Sequence, residues 1–122
     1  MPSHSFTKAQ RVRRRAEFGH VFEAGSRLSS RYFTLLFAAR PVPGSRLGIV
    51  ASRKLGDAVR RNRAKRLIRE VFRLIDKPAD ASLDLVVIPR RELFDAPFSD
   101  LDRDFRALWR RALARRPHPH AH

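Results

Sequence analysis

The sequence lacks several features, and each absence narrows the functions it can have. It contains no cysteine, which excludes disulfide bonds and thiolate metal sites. Its longest apolar run, residues 33–39, is interrupted by Thr34 and is far too short to cross a bilayer. No apolar segment typical of a secretory signal follows the early arginines. We therefore expect a cytoplasmic chain that does not enter a membrane.

Acidic residues are also scarce. Twelve Asp and Glu oppose 27 Lys and Arg, which gives a formal net charge of +15 and a pI of about 11.8. Such an excess of positive charge repels itself in a compact chain, so a standing anionic partner is expected. Arginine outnumbers lysine, and guanidinium groups bind phosphate bidentately and stack on bases, although genome base composition produces the same bias. The length of 122 residues fits a single domain with one modest core.

The most basic segment, residues 53–73, also carries a helical apolar stripe. At about 100° per residue, one arc holds Ala64, Leu67, Ile68, Val71, Phe72 and Ile75. The opposite arc holds Asn62, Arg66, Arg69 and Arg73, with Arg63 and Lys65 at its borders. A solvated surface helix would mix its charges, but Glu70 is the only acid between Asp57 and Asp76. The pattern indicates a helix that buries one face and offers the other to a polyanion.

The remaining elements indicate an α+β domain with helices packed against one sheet. Phe18, Val21 and Phe22 have helical spacing, and residues 41–45 are typical of a hairpin turn between two strands. The chain has no internal repeats. We predict helices over 14–24, 58–75 and 99–114, strands over 31–39, 46–53 and 83–88, a flexible arm over 1–10 and a disordered His/Pro-rich tail over 117–122.

No catalytic or metal-binding arrangement is evident among the polar residues. Asp100, Asp102 and Asp104 are ordinary choices at a helix N-terminus, where carboxylates complement the helix dipole. The histidines of the tail alternate with proline and offer no rigid ligand geometry. Residues 56–63 lack the glycines and the Lys-Ser/Thr pair of a phosphate-binding loop. We expect no catalytic residue, no metal site and no cofactor in the chain itself.

Residues 54–72, KLGDAVRRNRAKRLIREVF, closely resemble the signature of the bacterial ribonuclease P protein component. Its centre is Arg61-Asn62-Arg63, followed by Lys65-Arg66 and Arg69-Glu70. Residues 11–25 resemble the first helix of this family, residues 31–33 and 46–50 resemble its strands, and residues 84–90 resemble the strand that follows the basic helix. The resemblance covers about residues 8–114 in the same order.

The resemblance implies a fold, a function and partners. The fold would be a four-stranded sheet with three helices in the order α-β-β-β-α-β-α, with a left-handed βαβ crossover, and residues 8–116 would form one RNA-binding domain. The chain, monomeric by itself, would bind the ribonuclease P RNA subunit and precursor tRNA. The holoenzyme is an endoribonuclease that removes the 5′ leader by phosphodiester hydrolysis. The RNA subunit, with Mg²⁺ bound through RNA, would perform the reaction.

The resemblance also implies two RNA-binding surfaces. The surface for the catalytic RNA would comprise Arg60, Arg61, Asn62, Arg63, Lys65, Arg66 and Arg69. The cleft for the single-stranded leader would comprise Phe18, Phe22, Thr34, Leu36, Val50, Ser52, Arg53, Lys54 and Arg90. From spacing alone, Phe18 and Phe22 are more typical of a core, whereas the family implies partial exposure. Val21, Phe33, Leu35 and Phe37 are predicted core residues.

Three positions depart from the pattern of the family. Leu36 stands where many relatives have tyrosine, Ser52 where some have lysine, and Asp57 where Asn or Lys is usual. The first two remove possible leader contacts, so leader binding would rely more on Arg53 and Arg90. Asp57 adds negative charge but is also a good N-cap for the basic helix. A basic ribosomal or ribosome-assembly protein is the alternative that composition alone leaves open.

Overall fold

The computed structural model describes residues 11–12, 15–78 and 82–115, and it confirms the predicted α+β class and the predicted order of elements. The predicted arm over 1–10 and tail over 117–122 lie outside the described residues. The helices are α1 (Arg15–Ala24), α2 (Ala58–Leu74) and α3 (Phe98–Arg115), and the strands are β1 (Ser26–Ser29), β2 (Phe33–Ala39), β3 (Arg46–Ile49) and β4 (Leu83–Pro89). In the described part of the chain, short 3₁₀ turns also cover Arg53–Leu55 and Arg91–Asp95.

The strands form one mixed sheet in the order β1-β2-β4-β3. β4 pairs antiparallel with β2 and parallel with β3, so β2 and β3 are not neighbours. The hairpin predicted for residues 41–45 is therefore wrong. The sequence LDLVVIP of β4 is apolar on both faces and takes a central position, as expected for a strand covered on both sides. The hand of the β3-α2-β4 crossover stays a prediction.

The main core lies between one face of this sheet and helices α2 and α3. Phe33, Leu35 and Phe37 of β2 point into it, as predicted, and the Phe33 ring meets Phe105 of α3 edge-on at 5.6 Å. The apolar stripe predicted for α2 is confirmed: Ala64, Ile68, Val71, Phe72 and Ile75 are buried and Leu67 packs partly buried against them. This packing turns the polar side of α2 outward.

Helix α1 lies on the other face of the sheet. Val21 is fully buried there against Leu36, Ala38 and Val86, which confirms it as a core residue. Gly25 follows the helix and donates its amide to the Val21 carbonyl at 2.8 Å. A Cβ on Gly25 would lie 2.2 Å from that carbonyl oxygen, so only glycine allows this close approach.

Two element boundaries differ from the predictions in ways that matter for the site. The family resemblance implied a third strand before the basic helix, but periodicity did not locate β1, because SRLS is short and has only one buried residue, Leu28. β3 ends at Ile49 rather than Arg53, because the chain turns into the 3₁₀ segment. Asp57 acts as the N-cap of α2, as predicted, with its Oδ1 accepting the Arg60 amide at 2.9 Å.

Candidate nucleic-acid interface

The sheet face under α1 is arranged in cross-strand rows, because paired residues of neighbouring strands point to the same side. One row is Arg27, Leu36, Val86 and Gly48, and the next contains Ser29, Thr34 and Ile88. Val21 of α1 covers the first row. Val50 and Ile88, beyond that row, are only partly buried. We call Val50 and Ile88 the open half-face.

An ion-pair network holds α1 over the sheet. Arg46 of β3 donates to both carboxylate oxygens of Asp84 at 2.8 Å, and these two residues are register partners. A third nitrogen of Arg46 donates to Glu17 of α1, also at 2.8 Å. These hydrogen bonds, to Asp84 first and then to Glu17, raise the pKa of Arg46 above its ordinary value. The network fixes the first turn of α1 against the start of β3 and β4.

Phe18, the residue after Glu17, is seated on Gly48. A Cβ at Gly48 would lie 2.8 Å from two ring carbons of Phe18 and 2.9 Å from the Cβ of Val12. Phe18 is therefore half-buried, whereas Phe22, one turn later, leaves 48% of its surface exposed. The partial exposure that the family resemblance implied for both rings is present. Gly48 was not predicted as part of the site, because its role depends on this contact between distant segments.

Two predicted leader-binding residues are placed less favourably for contact with a ligand. Leu36 leaves 8% of its surface exposed and Thr34 leaves 6%. Both lie on the central strand β2, and Leu36 also packs against Val21 of α1. They form the floor of the cleft rather than an accessible surface. This corrects the expectation that they are available for stacking or direct leader contact.

Basic side chains lie at one end of the open half-face. β3 and β4 are parallel, so the segments after them emerge at the same edge of the sheet. Ser52, Arg53 and Lys54 are exposed there after β3, and Arg90 is exposed after β4. The Arg90 side chain donates to the Ser30 carbonyl at 3.0 Å, and its amide donates to the Tyr32 carbonyl at 2.9 Å. The structure thus brings the predicted cationic members of the cleft to one edge.

The outer face of α2 carries most of the predicted RNA-binding side chains. Asn62, Arg63, Arg66 and Arg69 are exposed, and Lys65 is half-buried; we call these five residues the basic helix face. A groove of about 450 Å³ runs along it, lined by Arg11, Asn62, Arg66, Arg69, Glu70 and Arg73. Among the described residues of this lining, Glu70 is the single carboxylate, and its hydrogen bond with Arg73 lowers the pKa of Glu70. The groove is therefore strongly cationic.

Two arginines of the first turn do not share that outer face. Arg61 lies about 20° from Ile68 around the helix, on the core side. It is half-buried, and its Nε is buried with no hydrogen bond to any described residue. The guanidinium of Arg60 lies over the Phe94 ring, 5.0 Å from its centroid. This corrects the prediction that both belong to one surface with Arg66 and Arg69.

A smaller groove joins the cleft to the basic helix face. It has a volume of about 260 Å³ and is lined by Arg11, Val12, Phe18, Leu47, Gly48, Ile49, Lys65 and Arg69. Arg11 and Arg69 line both grooves. Sequence patterns gave no signal for Arg11, because its position depends on pairing with β3, 36 residues further along the chain. Arg27, exposed on β1 in the row of Leu36, was not predicted because periodicity did not locate β1.

The carboxylates of α3 have structural partners. Asp102 is paired with Arg106, Asp100 lies 3.5 Å from Arg103, and Asp104 accepts a hydrogen bond from Ser30. Among the described residues, no group of three or more His, Asp or Glu side chains is placed to hold a metal ion. The tail histidines lie outside the described residues. Within the described part of the chain, no helix is long and apolar enough to span a membrane.

Comparison with known proteins identifies the family. Residues 6–113 match the family model described as Ribonuclease P. The "Ribonuclease P protein component" of Thermotoga petrophila is 44% identical over 91 residues, covering 75% of this chain and 78% of the relative. The corresponding protein of Chloroflexus aggregans is 41% identical over 106 residues, covering 86% of this chain and 78% of the relative.

Solved structures give the same result. The ribonuclease P protein of Staphylococcus aureus superposes with a TM-score of 0.75 at 31% identity, covering 86% of this chain and 96% of that one. The protein from Thermotoga maritima superposes with a TM-score of 0.72 at 39% identity, covering 83% and 96%. The match spans the basic helix, α1 and the whole sheet, so the chain belongs to the ribonuclease P protein family.

Proposed function

We propose that this chain binds the catalytic RNA of ribonuclease P and the 5′ leader of precursor tRNA, and so supports removal of the leader. The observation that carries the proposal is that a strongly cationic helix face and a half-open sheet face with an exposed aromatic ring lie side by side. In this proposal the chain is monomeric by itself and acts in the cytoplasm.

The basic helix face would hold the catalytic RNA through its phosphate groups. Asn62, Arg66 and Arg69 lie within about 60° of one another around α2, so one RNA backbone can contact all three. Their amide and guanidinium groups donate hydrogen bonds to phosphate and sugar oxygens and fix orientation without reading sequence. Four arginines and one carboxylate among the described residues line this groove, and that balance of charge favours a polyanion.

The cleft would hold the single-stranded leader. The exposed Phe22 ring and the half-buried Phe18 ring offer surfaces on which bases stack, at about 1–3 kcal/mol per base. Arg53, Lys54 and Arg90 lie at the sheet edge, where they can meet the phosphates of the same strand. Every base has a flat face, so this binding would tolerate different leader sequences.

The hydrolysis itself is assigned to the RNA subunit with its Mg²⁺. The cleft residues named above carry aromatic, aliphatic, hydroxyl, ammonium or guanidinium side chains, and they do not include the His, Glu or Asp that most often serve as general acid and base. In this proposal the protein positions the leader and offsets negative charge where two RNAs approach each other. No residue of this chain is proposed to react.

The proposal is tested by adding the chain to a bacterial ribonuclease P RNA and measuring leader removal at limiting Mg²⁺. We expect the chain to stimulate cleavage, and Arg66→Ala with Arg69→Ala to abolish most of the stimulation. The control is Arg110→Ala with Arg111→Ala, which removes the same charge from exposed positions of α3. Absence of stimulation by the wild-type chain with a well-folded RNA would reject the proposal.

Binding should also depend steeply on salt. If about six to ten phosphates are contacted, affinity for the catalytic RNA should fall about 10³–10⁵-fold between 50 and 200 mM salt. The double variant of α2 should show a shallower dependence than the double variant of α3. Equal slopes for the two variants would show that the basic helix face is not the contact surface.

A further inference from the structure

The segment before α1 is fixed to the exposed edge of the sheet. Residues 11–12 run parallel to β3: Arg11 forms a bridge with Leu47, and the Val12 amide donates to the Leu47 carbonyl at 2.9 Å. Val12 is buried against Gly48. Because successive side chains of an extended segment point to opposite sides, burial of Val12 directs Arg11 outward, and Arg11 is exposed. The position of Arg11 is therefore set by backbone pairing and by the burial of its neighbour.

Arg11 lies where the two grooves meet. The larger groove places it with Asn62, Arg66 and Arg69 of the basic helix face, and the smaller one places it with Phe18 and Lys65. Cations from the N-terminal segment and from α2 thus converge on one place. Like charges that line one groove repel one another, and an anion bound between them offsets that repulsion. A phosphate is an anion that guanidinium groups bind with good geometry.

We propose that Arg11, Lys65 and Arg69 form a junction that binds RNA phosphate where the leader leaves the cleft and meets the catalytic RNA. The inference rests on the proposed function and adds to it a residue from outside the basic helix and the cleft. The junction contacts both RNAs, so loss of Arg11 weakens the binding of each. Loss of a residue that belongs to only one surface weakens the binding of only one RNA.

The test compares Arg11→Gln with Arg110→Gln, which removes one exposed charge from α3. Two quantities are measured: the Kd for the catalytic RNA, and the ratio of holoenzyme Kd values for mature and precursor tRNA. Because Arg11→Gln removes a charge-assisted hydrogen bond to phosphate, it should lower catalytic-RNA affinity about tenfold or more. It should also reduce the preference for precursor severalfold. Arg110→Gln should change neither quantity.

A second variant guards against an effect on folding. Arg11→Lys keeps the charge and should recover part of both losses, and both variants should keep a cooperative unfolding transition in urea because the Val12 amide holds the segment to Leu47. If Arg11→Gln behaves like Arg110→Gln, or impairs only one of the two RNAs, the junction is rejected. The proposed function would still stand in that case, provided that Arg66→Ala with Arg69→Ala abolishes RNA binding.

Discussion

Replacing Gly48 by alanine should disturb the cleft at the point where Phe18 rests on the sheet. The added Cβ would lie 2.8 Å from two carbons of the Phe18 ring and 2.9 Å from the Cβ of Val12. Contacts this short do not persist, so a neighbour has to move. Val12 is held by its hydrogen bond to β3, whereas Phe18 is the end of a side chain. The ring of Phe18 should therefore be the group that shifts.

The size of the effect follows from two opposing contributions. Insertion of a methyl group into a packed site costs about 1–3 kcal/mol, and replacing glycine in a strand returns about 0.5–1 kcal/mol. The free energy of unfolding should therefore fall by about 0.5–2 kcal/mol. For a domain of this size, each kcal/mol lowers Tm by about 3–6 °C. A displaced ring also loses stacking, so precursor preference should fall about fivefold or more.

Gly19 supplies the matched control, because a Cβ added there meets no atom within 4 Å. Gly19→Ala lies inside α1 and should stabilise the protein by about 0.5–1 kcal/mol without loss of precursor preference. The assays are urea unfolding and the ratio of Kd values for precursor and mature tRNA. If Gly48→Ala matches the wild type in both assays, the contact between Phe18 and Gly48 does not shape the cleft.

Three further predictions concern a helix cap, an ion pair and a buried lysine that affect the stability of the fold. Asp57→Ala should cost about 1 kcal/mol by removing the N-cap of α2, and Asp57→Asn should cost less, both measured in urea. Asp84→Asn should cost about 1–3 kcal/mol, because the Arg46 guanidinium loses the carboxylate that accepts two of its hydrogen bonds and keeps Glu17; an unchanged midpoint would contradict this. Burial lowers the pKa of Lys77 in the folded protein. Between the folded and unfolded pKa values, the unfolded chain therefore binds more protons than the folded protein. Wild-type stability relative to Lys77→Met should therefore rise with pH across that window, and a fall would refute the assignment.

Local patterns predicted the helices of this protein well. The apolar stripe of α2 and the Asp57 cap are periodic or short-range features, and both are confirmed. The pattern of helices and strands predicted the α+β class, and the family resemblance supplied the full element order with a strand that periodicity did not reveal. β1 is four residues long with one buried side chain, too little for a pattern to detect.

Contacts between distant segments could not be predicted in the same way. The order of strands depends on β4 entering between β2 and β3, and a proline-rich turn between two strands gives no sign of that insertion. The orientation of Arg60 depends on the Phe94 ring, 34 residues later. The place of Arg11 depends on the edge of β3. Each of these is a result of tertiary packing rather than of local sequence.

The central claim is that the leader lies against α1 and the open half-face, on the side of the sheet away from α3. It is tested by photo-crosslinking from p-benzoylphenylalanine placed at Phe22 or at Phe98, the exposed phenylalanine that begins α3. In the complex with catalytic RNA and precursor tRNA, position 22 should crosslink to leader nucleotides and position 98 should not. Equal crosslinking from both positions, or leader crosslinks from position 98 alone, would contradict the account.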